Sequence, residues 1–171
     1  MIPAVVLAAG AATRFGSPKQ VLLLPYVVER LREAGVDDIV VVAGAYPIEA
    51  REGVRVVHCP EWAVGPGASL RCGVAALGDD ADAALIVLAD GPYLDPRAIE
   101  RVLAARHDAD FVVASYDGKR SHPAVLARSL WGSIPDDGGR ELPARLVACD
   151  DLTPPGDIDT PDLLPEMRKG R

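Results

Sequence analysis

Apolar residues gather along this chain in short, β-branched runs: Ile2–Leu7, Ile39–Val42, Val54–Val57, Ala83–Leu88 and Phe111–Ala114. Runs of this length with little polar alternation predict strands buried on both faces of a mainly parallel sheet. Helical spacing fills the intervals at Tyr26–Ala34, Ile48–Glu52, Ser69–Leu77 and Asp95–Arg106. Strand alternating with helix implies right-handed crossovers, so the expected architecture is a doubly wound, three-layer α/β/α domain on a mainly parallel sheet. After Ser115 the pattern weakens into Gly-, Pro- and Asp-rich stretches, with short strands expected at Ala124–Leu126 and Arg145–Ala148.

In open sheets of this kind, ligands bind beyond the carboxyl ends of the strands, near the switch point of the topology. Attention therefore falls on the loops after the first, third and fourth strands. The first, Leu7-Ala8-Ala9-Gly10-Ala11-Ala12-Thr13-Arg14-Phe15-Gly16-Ser17-Pro18-Lys19, is built of small residues that let backbone N–H groups approach an anion. Arg14 and Lys19 add the charge a polyphosphate needs, the first as a fork and the second as a point charge. Two other glycine loops are excluded. A dinucleotide fingerprint needs Gly-x-Gly-x-x-Gly and an acid after the second strand, which here ends Val42-Ala43-Gly44, and a Walker loop needs Gly-Lys-Ser or Gly-Lys-Thr.

Composition narrows the partners. The chain has 171 residues, 49% hydrophobic, which suits one compact domain. Its 18 basic against 25 acidic side chains give a net charge of −7, a field that repels polyanions, so nucleic acid and anionic membrane are poor partners. The opening MIPAVVLAAG has no basic flank and its apolar stretch breaks at Gly10, too short for a signal peptide or a bilayer span, so a cytoplasmic location is expected. Cys59, Cys72 and Cys149 are widely spaced and odd in number; no disulfide framework or zinc site is expected, only packing as small apolar residues.

The order of Gly10, Arg14, Gly16 and Lys19 gives the first loop a family likeness. LAAGAATRFGSPKQ resembles the signature loop of the MobA-like nucleotidyltransferases related to molybdopterin guanylyl- and cytidylyltransferases, departing at Ala12, where that pattern usually has Ser. The resemblance implies a Rossmann-like, nucleotide-diphospho-sugar transferase fold. Leu7, Ala8, Ala9, Gly10, Arg14 and Lys19 would hold the nucleotide. Glu61 to Arg71 is similar to the family's Gly-x-x-x-Ser-Leu loop, which implies that Gly67 and Ser69 lie by the base, although Ser69 is also a good helix N-cap in its own right. Leu88-Ala89-Asp90-Gly91-Pro92 looks like the family's Asp-x-Pro element, with Asp90 on the metal and Gly91 where Met or Gln is usual. An acid leaving a buried strand must in any case be solvated or coordinated.

Further along, Arg120 to Leu126 is similar to the family's Gly-His-Pro segment, with Ser121 replacing Gly and His122 near the acceptor, and Asp136 to Arg140 would form a mobile acceptor loop. Gly156 to Asp162 resembles the closing Asp-Ile-Asp-Thr-Pro element, implying Asp159 as a second metal carboxylate with Asp157 as the alternative. The same residues read equally as a helix start, with Thr160 as N-cap and Pro161 after it. The family's Gly-rich turn between Leu24 and Tyr26 is missing, so Pro25 runs straight into a helix.

The implied chemistry is attack by an acceptor phosphate on the α-phosphorus of a nucleoside triphosphate with Mg²⁺, releasing pyrophosphate. A phosphate monoester is already ionised near neutrality and needs no side-chain base, which suits a chain with three His and no arguable Ser-His-Asp set. Arg14, Lys19 and Asp90 would carry the reaction, the two cations by neutralising charge and Asp90 by holding the metal. In the resemblance, Leu-Ala-Ala-Gly loops go with cytidylyl transfer and Leu-Ala-Gly-Gly loops with guanylyl transfer, so Ala9 implies CTP over GTP. The implied acceptor is molybdopterin, and the implied partner a molybdoenzyme or its chaperone. Residues 1–114 would form the nucleotide half of a single domain and 115–171 the acceptor and metal-completing half. The competing readings are a guanylyltransferase, a cytidylyltransferase acting on a sugar phosphate or isoprenoid-precursor phosphate, and a non-catalytic nucleotide- or cofactor-delivery protein.

Overall fold

The computed structural model describes residues 1–11 and 19–156. Among these residues seven strands form one sheet: β1 (Ala4–Ala8), β2 (Ile39–Ala43), β3 (Val54–His58), β4 (Ala83–Leu88), β5 (Phe111–Tyr116), β6 (Lys119–Ala127) and β7 (Arg145–Ala148). Their order is β3-β2-β1-β4-β6-β5-β7. Every neighbouring pair runs parallel except those made by β6, which is antiparallel to both β4 and β5. The chain works outward from β1 to β3, then returns to the other side of β1 with β4. The β1–β4 boundary is therefore the switch point, where the crossovers diverge and leave a crevice.

The alternation of each central strand supplies both faces with core. Ala4, Val6, Leu85 and Val87 point to a cluster built with Leu24, Val27 and Leu31 of α1 (Lys19–Glu33) and Ile99 and Val102 of α3 (Pro96–Ala104). Val5, Val40, Ala84 and Ile86 point the other way, onto Leu70 and Val74 of α2 (Pro66–Ala75) and Ile134 after a 3₁₀ segment at Arg128–Ser133. Helix, sheet and helix thus form three layers, as the sequence predicts. Among the described residues no helix is long and apolar enough to cross a membrane.

Three elements differ from expectation. Helix α1 begins at Lys19 and passes through Pro25 rather than starting at Tyr26. Proline forfeits one backbone bond inside a helix, but burial of Leu23, Leu24, Val27, Val28 and Leu31 along one face outweighs that local loss. No helix forms at 48–52. That stretch holds one large apolar side chain and is too short to repay helix nucleation; instead Arg51 bridges to Val54, and Arg32 of α1 donates to the Glu52 carbonyl at 2.6 Å. Finally, β6 is nine residues long, because Asp117 and Gly118, at φ of 50° and 75°, turn the chain back as a tight hairpin.

The cysteines also need correction. Cys59, just past β3, and Cys72, on α2, form a disulfide with Cα atoms 5.8 Å apart. They are 13 residues apart in sequence, and it is the return of α2 over β2 and β3 that makes them neighbours. Cys149 is buried and unpaired, and burial raises its thiol pKa.

Candidate active site

The loops leaving β1 and β4 open at the same edge of the sheet. Backbone pairing holds them together, with Ala89 N–H donating to the Leu7 carbonyl at 3.0 Å, while Ala45 N–H, just past β2, donates to the Ala9 carbonyl at 3.0 Å. Asp90 follows directly, at the point where β4 stops being enclosed. Its carboxylate Oδ2 lies 3.6 Å from Lys19 Nζ, with the two side chains 25% and 10% exposed. A carboxylate and an ammonium so placed, from segments 71 residues apart (90 − 19), form a charged pair at the floor of a cleft, one well suited to exchange partners with a bound metal and phosphate.

Two adjoining cavities lead from this pair. The first, of about 340 Å³, is lined by Leu7, Ala9, Gly10, Gln20, Ser69 and Asp90, with Trp62 as its aromatic side. Gly44 makes that wall possible, since a Cβ there would stand 2.6 Å from Trp62 Cβ and Cγ and 2.8 Å from Ala9 Cβ. The second, of about 470 Å³, shares Leu7, Pro66 and Leu88 with the first and extends over Leu70, Ile86, Phe111, Val113 and Ala124 to Arg120, His122 and Gly138–Arg140. One cleft with two chambers is the form expected of a site where two ligands meet.

Of the residues singled out by sequence, Leu7, Ala9, Gly10, Ser69 and Asp90 line the first chamber, and His122 lines the second with Leu7. Lys19 joins them through Asp90. Ala8 is buried in the core beneath the loop. Gly67 lines neither chamber; it sits where a Cβ would run into the Pro135 carbonyl, and its N–H donates to the Asp136 carbonyl at 2.9 Å. Arg14, Asp157 and Asp159 lie outside the described residues. Among those described, no three His, Cys, Asp or Glu side chains gather into a metal cluster.

Ser69 is not a helix N-cap. Helix α2 starts three residues earlier at Pro66, with Gly65 before it, because proline is favoured in a first turn whose N–H groups have no helical partner. Ser69 is instead 4% exposed, on the cavity side of the helix's first turn and a half. Gly91 also acquires a reason. A Cβ there would stand 2.7 Å from His122 Cε1, 2.8 Å from Nε2 and 3.0 Å from Pro155 Cβ, so the imidazole occupies the volume that Met or Gln would otherwise claim. His122 is 8% exposed, and its Nδ1 accepts from the Leu88 N–H at 3.4 Å, which leaves the ring proton on Nε2.

The segment expected as a mobile acceptor loop is tied down. Arg120 donates to the carbonyls of Arg140 and Leu142, both at 2.9 Å, and its guanidinium stands 5.5 Å from the centre of the Phe111 ring. Arg71 of α2 holds the other end through the Ile134 carbonyl and Asp136, both at 2.8 Å. Arg140, by contrast, is exposed at the mouth of the second chamber. Sequence reasoning passed over Gln20, Trp62 and Phe111. For Gln20 the only signal was its place beside Lys19.

Comparison with known proteins agrees with this geometry. The family model described as the MobA-like NTP transferase domain matches residues 4–148. The bifunctional protein GlmU of Symbiobacterium thermophilum is 32% identical over 142 residues, 75% of this chain but 30% of that protein, so the chain spans less than a third of this curated relative. The crystal structure of Rv0371c from Mycobacterium tuberculosis superposes with a TM-score of 0.78 at 28% identity, covering 94% of both chains. The same protein in complex with manganese gives 0.76 at 26%, again over 94% of each. With the Lys19–Asp90 pair and the paired chambers at one sheet edge, the chain belongs to the MobA-like NTP transferase domain family.

Proposed function

We propose that this enzyme transfers CMP from CTP to a phosphorylated acceptor, molybdopterin in the first instance, and releases pyrophosphate. The observation that carries the reading is the two-chambered cleft with Lys19 and Asp90 at the end of the first chamber. CTP occupies the chamber lined by Ala9, Gly10 and Ser69, where the Ala9 methyl against Trp62 favours a pyrimidine over a purine. The acceptor occupies the other. Its lining of Leu70, Ile86, Phe111 and Val113 favours a flat ring system over a sugar, whose hydroxyls such a wall would leave unpaired. Arg140 at its mouth supplies charge for the acceptor phosphate.

In the reaction an acceptor phosphate oxygen forms a bond to the α-phosphorus, and the bond from that phosphorus to the β-phosphate bridging oxygen breaks, sending the electron pair out with pyrophosphate. The protein's part is in-line placement and neutralisation of charge, by Lys19, Arg14 and loop N–H groups. Asp90 fits a divalent ion, being a partly exposed hard oxygen donor at the cavity floor, and Mg²⁺ asks for only one or two carboxylates beside phosphate and water. Asp90 with Asp159 would hold it. When bound, that ion supplies Lewis-acid stabilisation of the phosphate oxygens. Pyrophosphate release, measured for four triphosphates against molybdopterin, sugar phosphates and isoprenoid-precursor phosphates with Mg²⁺, tests the reading. Turnover with CTP and molybdopterin is the expected result; turnover only with GTP, or only with another acceptor, reassigns the substrates, and binding without turnover in every pairing leaves a delivery protein.

A further inference from the structure

Gln20 is the second residue of α1 and is 8% exposed, yet its carboxamide Oε1 accepts no hydrogen bond among the described residues. Buried polar atoms are nearly always satisfied, and one that is not marks a position where something else completes it. The side chain lies on the wall of the 340 Å³ chamber, beside Ala9, Gly10, Ser69 and Asp90. Gly10 is part of the arrangement. A Cβ there would stand 3.2 Å from Gln20 Nε2, so the bare backbone is what lets the carboxamide lie against the loop.

The identity of the orphan atom restricts what it can meet. A carbonyl oxygen only accepts. The triphosphate of a nucleotide is also a set of acceptors near neutral pH and offers this oxygen nothing. The donors of a nucleotide are all on its nucleoside, as ribose O–H groups and base N–H groups. We propose that Gln20 is a nucleoside-recognition residue, its Oε1 accepting a hydrogen bond from an N–H or O–H of the bound nucleotide. The inference rests on the nucleotidyl-transfer reading above and deepens it, since cytosine carries a 4-amino donor where uracil carries an oxygen. Trp62, across the same chamber, would report the binding by its fluorescence.

The test is titration of wild type and Gln20→Met, which keeps length and removes the acceptor, with MgCTP and with Mg-tripolyphosphate. Gln20→Met is expected to weaken MgCTP about tenfold while leaving tripolyphosphate binding and the melting temperature of the free protein unchanged, because the oxygen has no described protein partner to lose. Equal MgCTP binding by both proteins overturns the proposal, as does an equal loss for tripolyphosphate, which would assign Gln20 to the phosphate loop. Wild-type protein alone supplies an arm independent of the variant's folding. UTP removes the base amino donor, and 2′-deoxy- and 3′-deoxy-CTP remove ribose donors; one of the three should bind about tenfold more weakly than CTP, and equal binding of all four overturns the proposal. If wild type binds no nucleotide in either titration, the nucleotidyl-transfer reading itself fails and takes this one with it.

Discussion

Replacing Gly91 by Ala perturbs the site through a single methyl group whose surroundings are known. The new Cβ would stand 2.7 and 2.8 Å from two atoms of the His122 ring and 3.0 Å from Pro155 Cβ, well inside ordinary contact. The His122 ring lines the second chamber, so what resists its retreat is its own hydrogen bond. The ring is buried, and its Nδ1 is engaged by the Leu88 N–H, so swinging away sacrifices that bond. Overpacking by one methyl costs about 1–3 kcal/mol, which for a domain of this size lowers the melting temperature by about 2–12 °C. Scanning calorimetry on wild type, Gly91→Ala, His122→Ala and the double variant measures it. Since His122→Ala empties the contested volume, Gly91→Ala should cost little in that background, with a coupling of about 1 kcal/mol or more. A Gly91→Ala protein as stable as wild type, or additive effects in the double variant, would refute the claim that the imidazole fills the space above Gly91.

Lys19→Ala should slow turnover about 10²-fold or more; steady-state kinetics checks it, a melting curve shows whether the fold survives loss of a mostly buried ammonium, and near-normal turnover removes Lys19 from the phosphate site. Asp90→Asn and Asp159→Asn should each abolish activity, with the double variant little worse than either, as for groups acting through one ion; multiplicative losses count against a shared metal. Stability should also fall in acid. Asp151 is held down to about 2 from 3.8 by its paired hydrogen bonds from Arg101, at 2.6 and 2.7 Å, and Asp95 is lowered by Arg97. A carboxylate with a depressed folded pKa contributes stability that is complete above its unfolded value and lost as pH falls through the folded one. Melting temperature should therefore drop from about pH 4 towards pH 2, less steeply in Asp151→Asn, and parallel curves would show that the pair contributes nothing.

The central strands were legible because burial on both faces leaves an uninterrupted apolar run, and β4 matches its expected bounds, Ala83–Leu88, to the residue. Other elements were hidden by real conflicts between local and tertiary terms. Pro25 reads as a helix boundary, yet α1 carries it inside because five apolar neighbours are buried along that helix. Strand β6 opens with Lys119, Arg120 and Ser121 and contains Pro123, so its polar start and its proline both argue against a central strand, and only Ala124–Leu126 stood out. The Asp117-Gly118 pair was a usable hairpin signal. The Cys59–Cys72 pairing had none, since spacing alone does not reveal which helix returns over which strand.

The same distinction governs the site. Loops after β1 and β4 are legible because the switch point is a property of strand order, and Lys19 and Asp90 meet there. The second chamber is not, for it depends on β6 entering antiparallel between β4 and β5. The β4–β6 register pairs Leu85 with Val125 and Ile86 with Ala124, and just past its end the Leu88 N–H donates to His122 Nδ1, two positions before Asp90. A slip of one residue would turn every β6 side chain to the other face, taking His122 away from Gly91 and out of the lining of the second chamber. Sheet register therefore works with the bonds from Gly67 and Arg71 to Asp136 and Ile134 in setting the spacing of the two chambers, and His122 is a residue through which β6 holds the end of β4 in place.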